Sequence, residues 1–130
     1  MTPEEASKEF YGLLDTIQAM APGDWKSEDY RPGGYCDYQG HGDPDGKQFA
    51  GYRSRSPLSL AERQILREKV EALYTSHGYT VQTFNQTTAS NNLILTIAQG
   101  PNGLTIGLHT GDQNTSVDGQ SRCVPNPTGQ

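Results

Sequence analysis

A chain of 130 residues with a net charge of −5 has room for one hydrophobic core and not comfortably for two. The acidic balance, without any cluster of Lys or Arg, argues against nucleic acid and against an anionic membrane surface as partners. Hydrophobic residues make up 32% of the chain, while 15 glycines and 8 prolines give much of it to turns, so the core must be small and drawn from few segments.

No run reaches the ~18 apolar residues that cross a bilayer. No signal peptide opens the chain either, because its first residues are acidic and helical. Met1-Thr2 therefore reads as a native start, or as an initiator placed on a fragment whose export signal has been removed.

Thr2-Pro3-Glu4-Glu5 is a capping box with proline at the first helical position and two acids at the positive end of the dipole. It predicts a helix over about residues 3–20, with Phe10, Leu13, Leu14, Ile17 and Met20 on its apolar face and Pro22-Gly23 as its stop. From Asp24 to Gly46 no period is sustained. A short strand near Gly34–Tyr38, carrying Cys36, and a second over Gln48–Ser54 are the elements that stretch predicts. Between them, Asp43-Pro-Asp45-Gly46 opens like a calcium loop but lacks the third acid and the bidentate glutamate, so it reads as a turn. No metal and no cofactor is expected.

Ser59-Leu60-Ala61-Glu62 is a second capping box. Leu66, Val70 and Leu73, widened by Leu60, Ile65 and Tyr74, form the apolar stripe of the helix it starts, with Arg63, Arg67, Lys69 and Glu71 largely opposite. Gly78 suits the left-handed position after the C-cap. Strand patterning follows over Tyr79–Phe84, Leu93–Ala98, Leu104–His109 and Thr115–Cys123, separated by polar turns. The alternation over Leu104–His109 buries one face and leaves the other, with His109, wet. Together these elements predict one α+β domain over residues 1–124 and a C-terminal tail over 125–130. Its form is a two-layer sandwich, an antiparallel sheet of four to six strands with two amphipathic helices on one face.

Catalytic motifs are missing: there is no G-x-S-x-G elbow, no H-E-x-x-H, no P-loop and no G-x-G-x-x-G, and His41, His77 and His109 are scattered. A triad assembled only in three dimensions stays open, but the chain does not read as an enzyme. Asn85-Gln-Thr87 and Asn114-Thr-Ser116 match the N-glycosylation pattern, which arises readily by chance here and matters only in a eukaryote. Trp25, Tyr30, Tyr35, Tyr38 and Tyr52 either cover the core beneath a long loop, the commoner arrangement, or line a groove for a sugar or peptide. They are the candidate binding residues.

Cys36 and Cys123 cannot make a structural zinc site by themselves. They are either unrelated buried thiols or, the favoured reading, a single disulfide closing a long loop and contributing roughly 4–5 kcal/mol. A disulfide implies an oxidising compartment.

The layout resembles the exported part of small actinobacterial cell-envelope lipoproteins, the LppA-like and related uncharacterised proteins. The features that carry the resemblance are the Pro3-Glu4-Glu5 opening, Leu13-Leu14-Asp15, Asp24-Trp25, Tyr35-Cys36-Asp37, Leu73-Tyr74 followed by Gly78-Tyr79-Thr80-Val81, and Ser121-Arg122-Cys123-Val124-Pro125. The resemblance implies an export signal and a lipid-carrying cysteine upstream, anchorage on the outer face of the membrane, and a Cys36–Cys123 bridge. It transfers no activity and no site residues. The resulting expectation is a non-catalytic extracytoplasmic domain that binds a protein or cell-wall component, touching membrane only through a lipid anchor. A small secreted enzyme or enzyme inhibitor is one alternative, and a cytosolic or phage-encoded interaction domain with reduced cysteines is another.

Overall fold

Both capping boxes form, and they set where the helices begin. Thr2 Oγ1 accepts the Glu5 backbone N–H at 3.2 Å while the Glu5 carboxylate accepts the Thr2 N–H at 2.9 Å. Ser59 and Glu62 repeat the exchange at 3.2 and 3.1 Å. The backbone N–H each carboxylate receives holds Glu5 and Glu62 below the usual carboxylate range. In the computed structural model, which describes residues 1–127, α1 spans Pro3–Met20 and α2 spans Leu60–Ser76. Gly78 takes the left-handed conformation, φ +75°, one residue beyond the C-cap His77, whose ring stacks on Tyr79 at 5.3 Å.

Phe10, Leu13, Leu14 and Ile17 are buried as the spacing of α1 predicts. The stripe of α2 needs correction. Leu60 and Ile65 are 64% and 52% exposed, whereas Arg63 is buried. An arginine is tolerated there because its donors are met: Nε donates to the Leu58 carbonyl at 2.9 Å and Nη1 to Asp112 at 2.7 Å.

Among the described residues the sheet contains seven strands, more than the four to six expected: β1 Lys26–Cys36, β2 Gly46–Arg55, β3 Thr80–Asn85, β4 Ile94–Gln99, β5 Thr105–Thr110, β6 Thr115–Gln120 and β7 Val124–Pro125. All neighbours are antiparallel in the order β1-β2-β6-β5-β4-β3, and β7 joins the start of β2. Two departures from the sequence reading raise the count. β1 begins at Lys26 and not near Gly34, and it absorbs two unmatched residues between Tyr30 and Gly34, where Gly33 has φ +74°. The last strand is broken at Ser121, whose N–H donates to the Phe49 carbonyl and whose Oγ accepts the Phe49 N–H, both at 2.8 Å. Beyond that break Val124 and Pro125 resume pairing against Lys47 and Gly46, and the Asn126 N–H donates to the Asp45 carbonyl at 3.1 Å. Of the residues read as tail, 128–130 lie outside those described.

Both helices lie on one face of the sheet, α1 against β2, β6 and β7 and α2 against β3, β4 and β5. One inward row runs Arg53, Val117, Leu108, Thr96 across four strands, all buried. Glycine is required at Gly51 and Gly119 in the adjoining row. A methyl at Gly51 would meet Leu14 and Tyr11 of α1, and one at Gly119 would collide with the Thr105 carbonyl. Arg53 is a charge inside this layer's α1 half, 3% exposed, and the Asp29 side chain beside it is 9% exposed. Asp29 chelates it through Nη2 at 2.7 Å and Nε at 3.3 Å, and Asp15 and Gln18 of α1 take Nη1. The Cys36–Cys123 disulfide, with a Cα–Cα distance of 6.0 Å, ties the end of β1 to the residue before β7. Gly46 lies directly beneath its two sulfurs.

Candidate functional site

Strand alternation that turns Arg53, Val117 and Leu108 toward the helices turns their neighbours to the opposite face, which no helix among the described residues covers. The register sets this open face in rows. Glu28, Tyr52, Asp118, Gly107, Ile97 and Gln82 lie side by side across six strands. Above them run Ser116, His109, Leu95 and Phe84, and below them Tyr30, Ala50, Gln120 and Thr105.

The middle of this face is dished. Gly107 has no side chain, and the bulkier residues around it leave a hollow of about 520 Å³ walled by Tyr30, Tyr52, Ile97, His109, Asp118 and Gln120. His109 Nε2 lies 3.2 Å from Asp118 Oδ1, with both side chains part-exposed. Two carboxylates, Glu28 and Asp118, thus flank Tyr52 in one row, and an imidazole and a carboxamide complete the polar set. Ser116 stands directly across from His109, so serine, histidine and aspartate share the face. They do not form a nucleophilic relay: among the described residues no hydrogen bond joins the Ser116 hydroxyl to the imidazole, and Ser116 is buried. Flat aromatic surface with acceptors and an amphoteric ring at its margin is suited to holding a ligand.

The five aromatic residues singled out from the sequence separate. Tyr30 and Tyr52, 58% and 37% exposed, meet in the hollow. Trp25 packs on the core at the end of α1, its indole N–H donating to the Ala21 carbonyl at 2.8 Å, so it covers the core. Tyr35 pairs with Lys47 at the far end of β1, where alternation sets it on the helix side. Tyr38 lies in the loop after β1, its N–H donating to Asp45 at 2.7 Å, while Asp37 gathers the N–H groups of Gly40, His41 and Gly42. The Asp43–Gly46 run, read as a turn, is irregular chain that leads into β2 at Gly46, and the N–H groups gathered by Asp37 lie just upstream of it. Among the described residues no three His, Cys, Asp or Glu are grouped to hold a metal.

Asp118, Gly107, Ile97 and Phe84 were not singled out from the sequence, and His109 was set on a wet strand face but given no role, although one signal was there. No Asp, Glu, Lys or Arg occurs between Glu71 and Asp112, so β3, β4 and β5 expose an uncharged surface in an otherwise acidic chain.

A larger hollow of about 850 Å³ lies beside the start of α1, among Thr2, Lys8, Arg31, Lys47 and Phe49. Its groups serve the fold: Thr2 caps the helix, and the Arg31 guanidinium rests 4.1 Å from the Tyr11 ring centroid and bonds Asp29.

No known family's sequence profile matches the chain, and no curated protein matches it in sequence. In structure it is similar to a DUF4853 family protein from Actinomyces odontolyticus, with a TM-score of 0.51 and 16% identity over 92% of this chain. The chain spans 64% of that protein's length. The likeness is one of fold.

Proposed function

We propose that this is a non-catalytic extracytoplasmic domain, lipid-anchored or secreted, that binds a protein or a cell-wall component through the open face of its sheet. The observation that carries the reading is the uncovered hollow at Gly107, where Tyr30, Tyr52, Ile97, His109 and Asp118 converge from five strands. A sheet face without helices that still displays tyrosine and isoleucine exposes apolar area that a partner would remove from water. Binding is favoured over catalysis because the imidazole and carboxylate line an open hollow and, among the described residues, no hydroxyl is bonded to the imidazole as a nucleophile. The disulfide supports the oxidising compartment, and an actinobacterial structural neighbour is compatible with the envelope resemblance. No described helix is long and apolar enough to cross a membrane.

The test has two parts. Thiols are alkylated in the intact source cells and the mass is read with and without reductant; freely labelled Cys36 and Cys123 would remove the extracytoplasmic reading. A photo-reactive phenylalanine is then placed at position 52, with position 61 on the exposed side of α2 as the control. A discrete adduct from 52 alone, lost on Asp118→Ala, is expected. Equal labelling from both positions, or none from 52, refutes binding through this face.

A further inference from the structure

The sheet has two ends, and they are defended differently. Edge strands offer unpaired N–H and C=O groups to any passing strand, and proteins block them with charge, proline, glycine kinks and bulges. β1 uses all of these: Lys26, Glu28, Asp29 and Arg31, then Pro32, Gly33 and a two-residue irregularity against β2. β3 uses none. Thr80-Val-Gln-Thr-Phe-Asn holds an unbroken register with β4 over its whole length and contains no charge, proline or glycine. Among the described residues no other backbone segment bonds to its outer side. α2 touches one face of it, with Thr83 Oγ1 bonding Glu71, and leaves the edge clear.

We infer that β3 pairs edge to edge with β3 of a second copy of this chain, antiparallel, so that one sheet runs through both molecules. The sequence of the strand carries the choice of occupant. A two-fold axis between identical antiparallel strands brings residues near the axis opposite themselves, so a charged edge repels its own copy. β3 itself is free of that penalty: no Asp, Glu, Lys or Arg stands between Glu71 and Asp112, and the Glu71 carboxylate meets Thr83 from the helix side. With the axis at Gln82, Gln82 faces Gln82, Val81 faces Thr83 and Thr80 faces Phe84. The pairs are β-branched, aromatic or carboxamide residues suited to cross-strand contact. An extended peptide fits less well, because strand-addition sites read alternate side chains in pockets and neither hollow described above borders β3. A six-residue edge is small against the ~1,000 Å² of a stable complex, so dissociation falls in the micromolar to millimolar range. This inference does not depend on what the hollow binds.

Sedimentation equilibrium of the whole chain from micromolar to millimolar concentration tests it. Gln82 is exposed on the open face, so Gln82→Lys and Gln82→Glu leave the core intact, which circular dichroism checks. The wild-type mass is expected to double as concentration rises. Each charged variant should dimerise at least about tenfold more weakly, and an equimolar mixture of the two should regain the dimer because opposite charges then face each other. A wild type that stays monomeric at millimolar concentration overturns the inference. So does a dimer indifferent to both charges, or variants that weaken association without recovery on mixing.

Discussion

Replacing Cys36 and Cys123 together by serine removes a cross-link whose ends are 87 residues apart. Loop-closure entropy for a loop of that size gives about 4–5 kcal/mol of stabilisation in the folded state's favour. Domains have roughly 5–15 kcal/mol in total, so this one bond accounts for a large fraction. The folded state gives nothing back on its removal. Cys123 is 8% exposed and both sulfurs rest on Gly46, so the hydroxyl at position 123 would be left in a buried place. β7, held by only two register pairs to β2, loses its anchor as well. At about 2.1 cal/mol/K of unfolding entropy per residue, the loss lowers Tm by roughly 15 °C for a chain of this length. Urea unfolding of the oxidised wild type, the reduced wild type and the double-serine variant measures it. The last two should coincide, with a steeper denaturant dependence than the oxidised form because their unfolded chains are more open. A loss under about 1 kcal/mol, or a reduced wild type as stable as the oxidised one, would refute the entropic account.

Asp29→Ala strands the Arg53 guanidinium at 3% exposure with only Asp15 and Gln18 left, and should cost about 3 kcal/mol in urea unfolding. The double change Asp29→Leu with Arg53→Met should cost less than that single one, because no charge then stays buried. Gly119→Ala drives a methyl into the Thr105 carbonyl of the neighbouring strand, and a loss of about 3 kcal/mol or more, or an insoluble product, is expected. Asp112 is held below the usual carboxylate range by the Asn92 backbone N–H and the Arg63 guanidinium. A depressed folded pKa stabilises fully above the unfolded value near ~4 and is lost as pH falls through the folded value. Urea midpoints of Asp112→Asn should therefore fall less steeply below pH ~4 than those of the wild type, and an unchanged acid limb would count against the pairing.

The helices were legible because their signals are local: each capping box needs only four consecutive residues, and each stripe a fixed spacing. Strands β2 to β6 came through for the same reason, within a few residues at their ends. β1 did not, and its inward residues show why. Asp29 and Arg31 face the helices and are satisfied by Arg53 and the Tyr11 ring, so the strand lacks the alternating apolar pattern by which strands are recognised. Arg63 was set on the outer face for a related reason, since the carboxylate that pairs with it arrives from a turn far along the chain. At the candidate site, Tyr30 and Tyr52 could not be told from Trp25 by residue type. What separates them is register, which aligns Glu28, Tyr52, Asp118 and Gly107 in one row from strands distant in sequence.

The bond between Cys36 and Cys123 also decides what tension on the chain can do. A pull from the C-terminal side reaches the cross-link as soon as β7 peels away, and a pull from the other side stops at the end of β1. The 87-residue span between the sulfurs, which holds α2 and β2 through β6, then carries no load. Fully extended it would add roughly 300 Å of length, and none of it can be drawn out while the bond is intact. The oxidised domain yields under force only through α1, β1 and β7, outside the cross-linked loop, and reduction adds that whole loop to what can be drawn out.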